Sequence, residues 1–145
     1  MKEFEVRYMK KAIKAAQQAN TPFGALLLDP NSGKQAVMAN SVAQDKDPSA
    51  HAEINVLRAA GRKGIKTQGS ILFSTCEPCP MCAMAVVWAG VAKVYFGASI
   101  DDAARYGNQV KIYCRDIAEA AWYDLEVEGG ILHAACLELF AASKG

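Results

Sequence analysis

His51-Ala52-Glu53 and, further on, Thr75-Cys76-Glu77-Pro78-Cys79-Pro80-Met81-Cys82 are the two segments from which the rest of this chain can be organised. Cys79 and Cys82 are three residues apart, so one turn of helix points both sulfurs the same way. The start of that helix carries partial positive charge, which favours thiolates. Thiolates and imidazole are good zinc donors, and His51 supplies a third from the start of a neighbouring helix. Structural zinc sites close with four protein ligands, whereas three leave a position for water. Glu53 stands two residues after His51 at the same helix start. It is placed to take a proton from such a water and give it to a departing amine, which is acid–base work for one carboxylate.

Working outward, hydrophobic spacing organises the rest of the chain. Residues 3–18 carry Phe4, Tyr8, Ala12 and Ala16 at four-residue spacing, with Met9 and Ile13 alongside, and read as an amphipathic helix. The apolar run 23–28, the turn Asp29-Pro30-Asn31-Ser32-Gly33 and residues 35–38 read as a β-hairpin. Helices are expected over 50–61, 79–89, 110–122 and 131–140, and strands over 71–74, 91–96 and 125–127. Residues 79–89 are apolar on nearly all sides, as a buried helix would be. Residues 98–108 read as a polar loop. Strands alternating with helices imply an α/β fold with a largely parallel five-stranded sheet, made mixed by the opening hairpin and covered on both faces.

The 145 residues amount to one domain, 1–145, and 52% of them are apolar, enough for a core. No run reaches the roughly 18–20 apolar residues of a membrane span. The charged opening MKEFEVRYMKKAIKAA does not read as a secretory signal, so a cytoplasmic protein is expected. Net charge is +1 without a basic cluster, which favours a small neutral ligand over a long polyanion. Five cysteines in a cytosolic chain point to metal chemistry before disulfides. Cys114, Cys136 and Cys76 read as packing residues, although Cys76 is also the one candidate for a fourth ligand of a structural zinc site.

H-x-E joined to P-C-x-x-C is the mark of zinc nucleobase deaminases. On His51-Ala52-Glu53-Ile54 and residues 75–82 the chain resembles the cytidine deaminase superfamily. Pro22-Phe23-Gly24-Ala25, Asn40, Asp47-Pro48-Ser49-Ala50 and Trp88-Ala89 are similar to the guanine deaminase group within it. That resemblance implies a three-layer α/β/α fold, a homodimer, and one zinc per chain on His51, Cys79 and Cys82. It further implies attack of a zinc-held hydroxide on an aminated ring carbon, Glu53 as proton carrier, ammonia release, and a place in purine salvage. Asn40 is expected to hydrogen-bond the base, Phe23 and Trp88 to line the pocket, and backbone near Ala52 and Cys79 to hold the ring edge.

One stretch departs from the guanine deaminase pattern. That group tends to carry acids just after the glycine beyond the fourth strand, and here the stretch is Tyr106-Gly107-Asn108-Gln109-Val110. Asp101, Asp102 and Asp116 are the candidate substitutes. The substrate expected is a free base: guanine, or a related aminopurine, aminopyrimidine or aminotriazine. A tRNA adenosine deaminase is the competing reading, against which stands the non-basic ending Ala141-Ala142-Ser143-Lys144-Gly145. A cytosine- or cytidine-type deaminase also fits the motif, and a non-catalytic zinc protein is the reading furthest from it. Glu77 reads as structural, and His133 as an ordinary histidine.

Overall fold

In the computed structural model, which describes residues 2–143, a five-stranded sheet lies between two layers of helices. Helix α1 (Glu3–Gln18) buries Tyr8, Met9, Ala12, Ile13 and Ala16 along one face, as its periodicity predicts. Strands β1 (Gly24–Leu28) and β2 (Gln35–Ala39) form the expected hairpin. Its turn is held by Asp29, whose carboxylate accepts from Asn31 N–H and the Ser32 hydroxyl. There follow α2 (Val42–Asp45), α3 (Ala52–Arg62), β3 (Ile71–Cys76), α4 (Pro80–Ala89), β4 (Lys93–Ala98), α5 (Ile100–Ala103), α6 (Cys114–Ala120), β5 (Glu126–Glu128) and α7 (His133–Ala142).

The strand order is β2-β1-β3-β4-β5. β1 runs antiparallel to both β2 and β3, while β3–β4 and β4–β5 are parallel. The sheet is therefore mixed as expected, yet half antiparallel where the alternation of elements predicts a largely parallel one. The chain returns β3 beside β1, past the hairpin's second strand.

Alternation along the strands builds two cores. Ala25, Leu27, Leu72 and Val94 face α3, α4 and α6. Leu26, Leu28, Phe73 and Tyr95 face α1 and α7. β1 is buried along its whole length because both faces are covered. Gly24 allows α1 to lie directly on the sheet, since a Cβ there would fall 2.1 Å from the Ala12 carbonyl oxygen.

Four elements differ from the sequence expectation, the first being α2, which forms within residues 41–49 where the polar sequence reads as a loop. The helix predicted over 110–122 is only Cys114–Ala120, with Val110 and Ile112 exposed ahead of it. It begins where Glu77 accepts the Cys114 N–H. The loop at 98–108 contains α5, whose capping box pairs Ser99 with Asp102. Helix α4 is not buried all round: Cys82, Ala83, Val86 and Val87 face inward, while Met84 and Trp88 are exposed. No described helix is long and apolar enough to cross a membrane.

Candidate active site

Both halves of the motif sit where a chain segment turns into a helix. His51 and Cys79 are the N-cap residues of α3 and α4, in extended backbone, and Cys82 lies in the first turn of α4. The approach to His51 is fixed by Asn55, which is buried in α3. Its Nδ2 donates to the Ala39 carbonyl, the Ser41 hydroxyl and the Ala50 carbonyl at 2.9, 2.9 and 3.3 Å. Asp47 accepts from Ser49 N–H and Oγ in the turn just before. On β3, the Thr75 hydroxyl accepts Gly24 N–H at 3.0 Å and donates to Pro22 O at 2.9 Å, which sets Phe23 against the strand end.

His51 Nδ1 lies 3.7 Å from Cys79 Sγ and 3.5 Å from Cys82 Sγ, and all three donor atoms lie within 4.8 Å of one another. Zinc with bonds of ~2.3 Å to sulfur and ~2.0–2.1 Å to nitrogen sets tetrahedral neighbours about 3.5–3.8 Å apart, so this donor set fits zinc. Cys76 is not part of the cluster. The charge state points the same way. The Cys82 thiol and His51 both hydrogen-bond to Cys79, which lowers Cys79 to about 4 and leaves a thiolate. Its proton-sharing partners are shifted up, Cys82 strongly and His51 through its bond to Cys79. Burial raises the Glu53 carboxyl to about 7.

A cavity of about 50 Å³ opens on this cluster, lined by Phe23, His51, Glu53, Cys76, Glu77, Cys79 and Gln109. Of the residues singled out in the sequence, it therefore gathers Phe23, His51, Glu53 and Cys79, with Cys82 behind them. Phe23 packs edge-on against Phe140 of α7, and Phe140 stacks on Tyr106, with centroids 5.6 and 4.9 Å apart. The C-terminal helix thus reaches the site of its own chain. Ala52 is buried in the core and does not line the cavity. Asn40 is not in the wall. Its N–H donates to Phe23 O, and its Oδ1 accepts Val42 N–H at the start of α2.

The expectation for Trp88 is corrected. It is 79% exposed and contacts Trp122, with centroids 5.1 Å apart, away from the cavity. Nine residues at about 100° each carry it to the opposite side of α4 from Cys79. The candidate acids are placed elsewhere as well. Asp101 accepts from Tyr113 OH, Asp102 is held by Ser99 and His133, and none of Asp101, Asp102 and Asp116 lines the cavity. Sequence reasoning misses Gln109 and Asn55. A polar residue among the apolar ones of α3 is the available signal for Asn55, and Gln109 has none beyond its place in the departing stretch.

Glu77 is structural, as its place in the turn before α4 suggests. Its two oxygens accept Ile100 N–H and Cys114 N–H, each at 2.9 Å, so one buried carboxylate starts both α5 and α6. Larger depressions, of about 610 and 480 Å³, lie near Trp122 and Tyr123, and neither is lined by any member of the donor cluster.

The cytidine and deoxycytidylate deaminase zinc-binding region matches residues 2–98. A probable cytosine deaminase of Schizosaccharomyces pombe is 30% identical over 139 residues, covering 89% of this chain and 85% of the relative. A tRNA-specific adenosine deaminase of Bacillus subtilis is 35% identical over 143 residues, covering 93% and 85%. Among solved structures, a guanine deaminase from Nitrosomonas europaea superposes with a TM-score of 0.78 at 25% identity, over 96% of this chain and 81% of that one.

Proposed function

The chain belongs to the cytidine and deoxycytidylate deaminase zinc-binding family, and on that premise we propose that it hydrolyses the exocyclic amine of a free nucleobase, guanine or a related aminated ring. The observation that carries this reading is the shared cavity. The buried Glu53 carboxyl, the His51 and Cys79 ends of the three-donor cluster and the Phe23 ring meet in one small cavity. His51, Cys79 and Cys82 would hold the zinc, which when bound would activate water for attack on an aminated ring carbon. Glu53 accepts the proton of that water and delivers it to the leaving amine. Burial suits Glu53 to the first task, because desolvation makes its carboxylate a stronger base for the proton of the water. Phe23 supports the flat face of the ring and the backbone beside Cys79 holds its edge; Asn40, whose Oδ1 is bonded to Val42 N–H outside the cavity wall, would reach the ring only through its Nδ2.

The test is ammonia release by the zinc-loaded protein from guanine, adenine, cytosine, isocytosine and pterin, from the matching nucleosides, and from a tRNA anticodon stem-loop. Turnover of a free base is expected. Glu53→Gln should keep zinc and fold while losing about 100- to 10,000-fold in rate. A Gln variant with near-normal turnover sinks the mechanism. The second reading, a tRNA adenosine deaminase, is favoured by the 35% identity over 143 residues. Activity on the stem-loop alone would establish it.

The same reading includes a cytoplasmic homodimer. The outward face of α4 and the end of α6 support it, since Met84, Trp88 and Trp122 are 54%, 79% and 67% exposed. Contiguous apolar surface of this kind marks a protein contact. Light scattering should return twice the 15.5 kDa chain mass, and Trp88→Glu with Trp122→Glu should return a monomer. A wild-type monomer at micromolar concentration excludes the dimer.

A further inference from the structure

The cavity beside the donor cluster is smaller than any base. At about 50 Å³ it has room for one or two waters. A ring must either sit across its open mouth or displace part of its wall. His51, Glu53 and Cys79 stand at the starts of α3 and α4, Cys76 is in β3, and both Glu77 oxygens are committed to backbone N–H groups. Phe23 is braced by Phe140 and by the Thr75 clamp beside it. Gln109 is different. It belongs to neither helix nor strand, and the N–H groups of residues 108–111 donate to no backbone carbonyl among the described residues. The ends of its segment are tied to Glu77 through Ile100 and Cys114, so the middle can swing while its ends stay fixed.

The chemistry of the wall narrows what Gln109 does. Glu53 and the zinc donors serve the reacting edge of the ring. Of the other lining side chains, Gln109 alone offers a donor beside an acceptor. A free base has the complementary pair on the edge that carries its glycosidic nitrogen: N1–H beside O2 in cytosine, N9–H beside N3 in a purine. Sugar attachment removes that N–H. We propose that Gln109 closes over the bound ring and reads this edge with its carboxamide, so that it selects free bases over nucleosides. The proposal rests on the free-base reading above and assigns a specificity residue to it.

The experiment compares cytosine, guanine and adenine with 1-methylcytosine, 9-methylguanine and 9-methyladenine, in the zinc-loaded wild type and in Gln109→Leu. Methylation should lower wild-type kcat/KM about 10- to 100-fold, the cost of leaving one buried partner unpaired. In Gln109→Leu the penalty should shrink to under about threefold, mostly through a raised KM for the free base, with zinc content and Tm retained. Gln109→Met repeats the test with a second apolar side chain. A methylation penalty of the same size in both variants means a steric wall and overturns the proposal, as does a wild type without any penalty. If no free base is turned over or raises the wild-type Tm, the free-base reading itself fails, and the role of Gln109 fails with it.

Discussion

Cys79 and Cys82 are chemically unequal although the motif presents them as a pair. The Cys82 thiol donates to Cys79, so the metal-free site holds one thiolate and one thiol. Cys79 lowered to about 4 is fully ionised at neutral pH, whereas an ordinary thiol near ~8.5 ionises about tenfold more with each pH unit up to that value. Metal-stripped protein should therefore be alkylated by iodoacetamide at Cys79 at a rate that is flat between pH 6 and pH 8. Zinc should block the reaction. Peptide mass mapping reads both effects, and a tenfold rise per pH unit would refute the unequal pair. Cys114 and Cys136 should stay unreacted, because burial raises each to about 12. At this scale the site is legible in the sequence. His51 and Glu53 are read from the motif that joins H-x-E to P-C-x-x-C, while helix geometry converts the three-residue spacing of Cys79 and Cys82 into a shared direction. Trp88 departs from its expected place for the same reason: its nine-residue distance from Cys79 puts it on the far side of α4.

Among the elements, α5 and α6 depend on a single side chain. Their first N–H groups share the Glu77 carboxylate, an arrangement no periodicity in residues 98–122 announces. The sequence pattern runs α6 back to residue 110 because Val110 and Ile112 are apolar; both are exposed, and the helix starts four residues later at its acceptor. Glu77→Gln keeps one acceptor oxygen and turns an NH₂ toward the other N–H. It should cost about 2 kcal/mol, given ~1.5–3 kcal/mol for a hydrogen bond to a charged group. For a chain of this size that lowers Tm by about 4–8 °C. Thermal melting of the zinc-loaded variant checks this, with zinc stoichiometry expected to stay at one. An unchanged Tm would show that the two helices start without it. The long, strongly periodic elements, α1 and the hairpin above all, match their sequence reading because their pattern is local. The antiparallel β1–β3 pairing is set by where the chain returns in space, which local pattern does not encode.

Over the whole molecule, the donor cluster joins the starts of α3 and α4, which lie on the same face of the sheet and pack into one core. Zinc is thus a cross-link between segments 28 residues apart in sequence at His51 and Cys79. Metal binding to such a site is also folding free energy. Chelation should lower Tm by about 6–12 °C, an order-of-magnitude expectation from about 3 kcal/mol of linkage, and zinc should restore it. A melt indifferent to chelator would mean that the core holds this geometry alone. The double tether on Glu77 carries a further consequence. Because Ile100 and Cys114 meet at one carboxylate, the stretch between them is a loop closed at its base, anchored by α5 and by Tyr106 on Phe140 and open over residues 108–112. Lengthening a closed loop costs only ~0.6 kcal/mol per doubling. A change in the length of that stretch should therefore weigh little on the stability of the sheet beneath it.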